Sequence, residues 1–204
     1  MNKQQIAQTI WNAANKMRSK IDAGEYKDFI LGFIFYKYLS QKEVSYWKGE
    51  LGAEDSDIEG FNEQDVETVK DAQQKLGYFI AYENLFSTWV HPSEEYKKTH
   101  EFGVGDVTIA LNAFSRLVAD SHAGVFGKPN TPGKREVFAT LSEGLSGSKL
   151  GDTDKAKTAA VRDIIGVVDR IPMEKKEDYD VLGYVYEYLI NNFAANAGNV
   201  NAGR

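Results

Sequence analysis

The chain has no cysteine among its 204 residues. Since a disulfide framework and a thiolate metal site both require cysteine, we expect neither, and the composition suits a reducing compartment. A long hydrophobic run is also lacking, because the most apolar stretch, residues 29–39, is too short and too interrupted to span a bilayer. The N-terminus, Met1-Asn-Lys-Gln-Gln, lacks the apolar core of a signal peptide. We therefore expect a cytoplasmic protein that makes no membrane contact.

Positive charge is scarce as well, with 24 basic against 30 acidic side chains and a formal net charge of -6. A large sequence-independent DNA-binding surface needs clustered Lys and Arg to neutralise phosphates. The balance argues against such a surface but leaves room for a local basic strip. Hydrophobic residues make up 42% of the chain and aromatic residues 12%, which is enough to build the core of one domain.

Apolar residues recur at helical spacing along most of the chain. The first stripe runs from Ile6 to Ile21, and Gly24 is placed to end that helix. From Glu25 onward the pattern is apolar around much of the circumference, which predicts a helix in the middle of a bundle. The acidic residues 49–60 predict an exposed loop.

Further helices follow. Asn62 as the N-cap, with Asp65 three residues later, marks the start of one helix. Apolar stripes predict others over 107–118 and 156–171, and Pro172 stops the second of these.

Residues 124–138 break the helical pattern. They hold three glycines and two of the four prolines, which predicts a small β hairpin or flap. A loop is expected over 144–152. The predicted fold class is mainly α: a multi-helix bundle with a small β hairpin or flap.

The last helix is predicted to begin near Asp180, with an apolar stripe from Leu182 to Phe193. Mostly small and polar residues without an apolar period follow, as is typical of an interdomain connection. We predict a helical-bundle domain over 1–193 and a linker over 194–204.

Several of these segments resemble, in the same order, the modification subunit of type I restriction-modification systems, which is a DNA methyltransferase. The matching runs are Trp11-Asn-Ala-Ala-Asn15, Met17-Arg18, Glu25-Tyr-Lys27, Leu31-Gly32, Phe35-Tyr-Lys-Tyr-Leu-Ser40, Gly77-Tyr-Phe-Ile80, Leu85-Phe86, Ser148-Lys-Leu-Gly151, Leu182-Gly183, Tyr186-Glu-Tyr-Leu-Ile190 and Ala194-Ala-Asn-Ala-Gly198. Ala81-Tyr82 stands where that family has a proline region. The resemblance covers nearly the whole chain, apart from residues 127–134.

The resemblance implies the N-terminal helical domain of that subunit, with residues 194–204 leading to a methyltransferase domain that this chain lacks. The complete subunit would use S-adenosylmethionine to methylate adenine N6 in a bipartite DNA target. Its partners would be a specificity subunit, a second modification subunit and a restriction or motor subunit. The helical domain would help the modification subunits to close around the DNA.

The family's catalytic tetrapeptide, Asn/Asp-Pro-Pro-Phe/Tyr, binds the flipped adenine. No two prolines of this chain are adjacent, so we expect it to contain no catalytic residue. Gly103-Val-Gly105 is the nearest match to the glycine-rich turn of a methyl-donor or dinucleotide site, but no convincing strand precedes it and position 108 is Thr. Residues 144–149 resemble a phosphate loop, but the spacing of glycine and lysine is wrong. We expect no cofactor-binding residue here, and S-adenosylmethionine only on the full-length protein.

The histidines His91, His100 and His122 lie in predicted loops and lack the i, i+4 spacing of helical metal ligands. Glu94 and Glu95 lie near His91, but adjacent carboxylates on a polar turn are usually solvated. We expect no metal site.

Four basic residues are candidates for contact with DNA or a partner. Lys16, Arg18 and Lys20 cluster at the end of the first helix, where they also complement the helix dipole. Lys37 lies on the strongly apolar helix. Its stem passes the core or its ammonium reaches a partner, and the first interpretation is favoured.

Tyr184, Tyr186 and Tyr188 alternate along the last helix, so at least one should be exposed. Together with Glu187 they are candidates for an interface with the methyltransferase domain or the specificity subunit.

Two other classes of function remain open. A free-standing acidic helical domain for protein interaction or regulation would explain the acidic balance and the lack of catalytic motifs. A small enzyme whose site no motif marks is the weakest option, and a deep polar pocket with strongly perturbed titratable groups would favour it.

Overall fold

The computed structural model describes residues 2–17, 21 and 23–201, with the backbone alone for 23 and 196–201. All regular secondary structure in this part of the chain is helical. The α-helices are α1 (Lys3–Met17), α2 (Ala23–Leu51), α3 (Asp55–Glu59), α4 (Val66–Lys75), α5 (Phe86–Val90), α6 (Glu94–Thr99), α7 (Val104–Leu117), α8 (Ala123–Phe126), α9 (Ala139–Ser146), α10 (Asp154–Asp169) and α11 (Asp178–Asn201). Single 3-10 turns cover Tyr82–Asn84 and Asp120–His122. None of the described helices combines the length and hydrophobicity that crossing a bilayer requires.

Helix α2 is the centre of the bundle. It packs against α5, α9, α10 and α11, while α1 packs against α10 and α11. The side chains of Tyr26, Ile30, Phe33 and Tyr36 are fully buried. The prediction of a mainly α-helical bundle around this helix is confirmed. A helix that is apolar around most of its circumference needs neighbours on several sides to bury that surface.

Residues 77–86 connect α4 to α5 along an irregular path across α2. Side chains of α2 supply hydrogen bonds that regular secondary structure would otherwise provide. Three such bonds, each 2.8 Å long, run from Tyr36 Oη to the Asn84 carbonyl, from the Phe86 N–H to Ser40 Oγ, and from the Ile80 N–H to Glu43 Oε1. A fourth bond of 2.8 Å runs from Tyr78 Oη to the Leu39 backbone carbonyl of α2. We call Tyr36, Ser40 and Glu43 the α2 polar cluster.

The α2 polar cluster is buried, with Tyr36 0%, Ser40 3% and Glu43 1% exposed. A buried polar group that loses its partner costs about 1–3 kcal/mol. Moving residues 77–86 away from α2 would therefore leave several such groups unpaired at once. The cluster fixes the path of this segment.

The predicted β hairpin or flap over 124–138 is wrong. The segment instead contains the single turn of α8, followed by three tight turns at 129–130, 132–133 and 137–138. One backbone hydrogen bond joins its arms, from the Val137 N–H to the Phe126 carbonyl at 2.7 Å. Phe126 and Phe138 both pack against the ring of Phe114. The two arms are therefore held together by this core side chain and one backbone bond, and not by a strand ladder.

Two helix boundaries differ from expectation. Asp65, and not Asn62, caps α4, because its carboxylate accepts the Thr68 N–H at 3.2 Å while Asn62 closes the preceding turn. The acidic stretch 49–60 is not one loop, since α2 runs to Leu51 and α3 follows.

The loop expected over 144–152 begins later, because α9 extends to Ser146. Gly144 is a helical residue at the contact between α9 and α2. A Cβ at this position would lie 2.8 Å from the ring of Phe29. The glycine is therefore required by the close approach of two helices.

Helix α11 confirms the predicted apolar stripe, with Val185 and Leu189 0% and Phe193 3% exposed. The helix does not end at Phe193, however, but continues to Asn201. The chain holds no proline after 172, and alanine and asparagine are compatible with a helix. The predicted domain boundary after 193 stays a prediction.

Substitution of Glu43 tests the α2 polar cluster through pH. Burial raises the pKa of the Glu43 carboxyl well above its usual range, while hydrogen bonds from the Ile80 N–H and Trp47 oppose that rise. A folded-state pKa above the unfolded value gives stability that is fully present below the unfolded pKa of about 4.3 and is lost as pH rises through the folded pKa.

We expect the wild type to lose free energy of unfolding between pH 5 and the raised pKa of Glu43. Glu43→Gln, which keeps an acceptor oxygen but cannot ionise, should lose less over the same range. Urea unfolding followed by tryptophan fluorescence at several pH values measures both. The same pH dependence in the two proteins would contradict the assignment.

Candidate interaction surface

The three histidines contact other residues of the domain. His91 Nε2 lies 2.8 Å from Asp169 Oδ2, and His100 Nε2 lies 2.9 Å from Asp106 Oδ1. His122 packs beneath Gly77, where a Cβ would lie 2.4 Å from its ring. Over the described ranges, His, Cys, Asp and Glu nowhere form a group of three or more that could hold a metal ion.

Gly103 begins a helix. Its N–H donates to Asp106 Oδ2 at 2.7 Å, and the Val104 N–H donates to Thr158 Oγ1 at 3.0 Å. These bonds satisfy amides at the start of α7 that a ligand-binding loop would need free. The segment therefore functions as the start of a helix.

Lys37 extends from α2 to the C-terminal end of α10. Its Nζ donates to the carbonyls of Val168 at 3.4 Å, Asp169 at 2.9 Å and Ile171. An α-helix leaves such carbonyls unpaired at its end. Burial lowers the pKa of Lys37, and the charges of neighbouring carboxylates oppose this. The three donors of the ammonium are directed to the end of α10, so this candidate contact residue acts inside the domain.

The other basic candidates lie at the end of α1. Lys16 is exposed in the last helical turn and makes no ion pair with the described residues. Arg18 and Lys20 lie outside the described residues. Contact of these three residues with DNA or a partner stays a prediction.

The tyrosines of α11 divide into two groups. Tyr188 Oη donates to Gln8 Oε1 at 2.6 Å, and the ammonium of Lys3 lies 5.2 Å from the ring centroid of Tyr184. These two tyrosines contact α1.

Tyr186 and Glu187 are exposed instead. Tyr186 lines a shallow groove with Phe35 of α2 and Leu141 of α9. Of the predicted interface set, Tyr186 and Glu187 are exposed, whereas Tyr184 and Tyr188 are half-buried.

The net negative charge of the chain is concentrated in residues 50–71, which the overall charge balance does not reveal. They contain nine acidic residues and one basic residue, a net charge of -8, and leave 23 basic against 21 acidic residues elsewhere. We call residues 50–71 the acidic segment. Counting charge along the sequence, instead of over the whole chain, would have found it.

Three runs that carry the family resemblance meet in the structure. Residues 35–40 of α2 contact the run 77–80 through the bond from Tyr78 Oη to the Leu39 carbonyl, and the run 85–86 through the bond from the Phe86 N–H to Ser40 Oγ. A model of the HsdM N-terminal domain matches residues 6–143, a range that includes these runs.

The chain belongs to the HsdM N-terminal domain family. In sequence, it is 26% identical over 202 residues to the type I restriction enzyme MpnII methylase subunit of Mycoplasma pneumoniae. That match covers 95% of this chain and 35% of the relative. In structure, it is similar to the type I restriction-modification system methyltransferase subunit from Streptococcus thermophilus, with a TM-score of 0.69 and 24% identity, over 95% of this chain and 39% of that one. The structural likeness shows a shared fold, and the chain spans little more than a third of either protein.

Substitution of Lys37 tests its role in this HsdM N-terminal domain. Lys37→Met keeps most of the apolar stem but leaves carbonyls at the end of α10 unpaired, so we expect a loss of about 1–3 kcal/mol in the free energy of unfolding. Lys42→Met is the matched control, because Lys42 is exposed on the same helix, and it should change stability by less than about 0.5 kcal/mol. Urea unfolding measures both. Equal effects of the two substitutions would show that the contacts of Lys37 with α10 contribute nothing.

Proposed function

We propose that this HsdM N-terminal domain is the assembly and DNA-clamping part of a type I restriction-modification methyltransferase subunit. The observation that carries the proposal is the family match over residues 6–143. The name of the Mycoplasma pneumoniae relative, a methylase subunit, supports it. The full subunit, with its specificity partner, would methylate adenine N6 in a bipartite site.

The proposed partners are the specificity subunit, a second modification subunit and a restriction or motor subunit, assembled on DNA. S-adenosylmethionine would bind the methyltransferase part of the full-length protein. The contribution of this domain would be geometric, since it would hold contact surfaces in fixed positions.

The packing of the domain supports an assembly role. Helix α2 is buried in the bundle, and buried hydrogen bonds hold residues 77–86 against it. Surfaces mounted on such a core keep their relative positions, which reduces the ordering cost of association. Tyr186 is 42% exposed on α11, and tyrosine is enriched in protein interfaces. We infer that the face of α11 around Tyr186 and Glu187 contacts another subunit.

The charge distribution supports DNA contact on selected faces. A net charge of -8 on the acidic segment repels phosphates, whereas the rest of the chain has 23 basic and 21 acidic residues. DNA would therefore approach faces away from residues 50–71.

A second candidate is a free-standing helical domain for protein interaction or regulation. The acidic segment favours it, because a dense surface charge suits recognition of a basic partner. The two candidates differ in whether a methyltransferase depends on the domain.

Deletion of the domain distinguishes the two candidates. We expect the full-length subunit without residues 1–170 to assemble poorly with the specificity subunit on DNA and to lose most methyl transfer. Light scattering after gel filtration measures assembly, and transfer of labelled methyl groups measures activity. Unchanged assembly, DNA binding and methylation would refute the proposed function.

A point substitution sharpens this test. Tyr186 and Tyr179 are 42% and 43% exposed on the same helix, so Tyr179→Ala is a matched control for Tyr186→Ala. In the full-length subunit we expect Tyr186→Ala to weaken binding of the specificity subunit about fivefold or more, the scale on which interface tyrosines act. Tyr179→Ala should have less than about a twofold effect. Equal effects would place the interface elsewhere.

A further inference from the structure

A groove of about 440 Å³ lies between the end of α3, the 60–64 turn and α6. Tyr82 and Tyr96 line it, and their rings meet edge to face with centroids 5.6 Å apart. Both side chains are half-buried. Tyr82 is held in place, because its hydroxyl accepts the Ser93 N–H at 3.3 Å. We call this feature the tyrosine groove, and it offers part of two aromatic rings in a fixed arrangement.

Three carboxylates line the same groove: Glu59, Glu83 and Glu95. Glu95 is paired with Lys98 at 2.7 Å. Glu59 and Glu83 are exposed and make no ion pair with the described residues. Glu59 also belongs to the acidic segment, whose net charge of -8 adds to the negative potential. The groove therefore combines aromatic surface with two carboxylates available to a ligand.

This combination selects an organic cation. An aromatic ring attracts a cation over its face, and a carboxylate accepts charge-assisted hydrogen bonds from it. Arginine suits both, because its planar guanidinium stacks on rings and presents several N–H donors. A metal ion is disfavoured, since the described residues contain no group of three or more ligating side chains placed to hold one. A nucleic acid is repelled by the same charge.

We propose that the tyrosine groove docks an arginine-bearing segment of a partner polypeptide, with Glu59 and Glu83 as the carboxylates that bind the guanidinium. The partner's chemistry follows from charge complementarity. The proposal rests on the proposed function in one respect, which is that the segment belongs to another subunit of the assembly.

Peptide binding to the intact 204-residue chain tests the groove. The probe is a short fluorescein-labelled glycine-serine peptide that carries three arginines, and anisotropy measures its affinity. Glu59→Gln with Glu83→Gln should weaken binding about tenfold, because two exposed cation contacts are removed. A peptide with lysines in place of the arginines should bind the unchanged chain more weakly, since an ammonium does not stack on rings.

The matched control is Glu50→Gln with Glu67→Gln. It changes the net charge of the chain by the same amount. Both positions are exposed residues of the acidic segment that do not line the groove. We expect less than about a twofold change in affinity. Equal losses in the two double variants would show that only the overall charge attracts the peptide, and would overturn the proposal. Absence of measurable binding to the unchanged chain would overturn it as well.

Nuclear magnetic resonance provides a second measurement that does not depend on the variants. The arginine peptide should shift the amide signals of Gly60, Gln64 and Thr99, which line the groove. Shifts confined to other surfaces would overturn the proposal.

Failure of the proposed function would give a different result. Removal of residues 1–170 would then leave assembly and methylation unchanged, while the arginine peptide still bound the groove selectively. Loss of selective peptide binding with assembly still dependent on the domain would overturn the groove and leave the proposed function standing.

Discussion

The fold depends on buried hydrogen bonds between α2 side chains and the backbone of residues 77–86. This segment connects α4 to α5 without regular structure, so the amides of Ile80 and Phe86 need partners from elsewhere. Glu43 and Ser40 provide them, each at 2.8 Å. In a low-dielectric interior such bonds are strong when made and costly when lost. These bonds set the position of α5 relative to α2. They thereby also position Trp89 of α5, whose ring stacks on Tyr36 with centroids 4.9 Å apart.

The same contact gives a physical meaning to the family resemblance. Residues 35–40 and 77–86 are far apart in the sequence, yet they form one unit in which each run satisfies polar groups of the other. The resemblance therefore identifies a packing arrangement. Both runs lie within residues 6–143, the range that the model of the HsdM N-terminal domain matches. Under the proposed function, the domain's contribution to a larger enzyme would lie in the surfaces that the core holds in place.

Local patterns predicted the helices but not their long-range polar contacts. The stripes of α2, α10 and α11 were predictable because burial of one face imposes a period of 3.6 residues. The role of Lys37 was not, since its acceptor at Ile171 lies 134 positions away and no spacing rule connects them. The turns within 124–138 were missed because glycine and proline indicate a break in the helical pattern without specifying what replaces it. The tyrosine groove was missed for the reason that applies to Lys37: its lining residues come from three separate segments.

Hydrogen exchange measures the central contact most directly. The amides of Ile80 and Phe86 donate to buried side chains of α2, so they open only when residues 77–86 separate from that helix. The account predicts that both exchange as slowly as amides in the middle of α2, such as that of Phe33. Rapid exchange at Ile80 and Phe86 while α2 stays protected would show that the segment is not fixed by the α2 polar cluster, and would contradict the account.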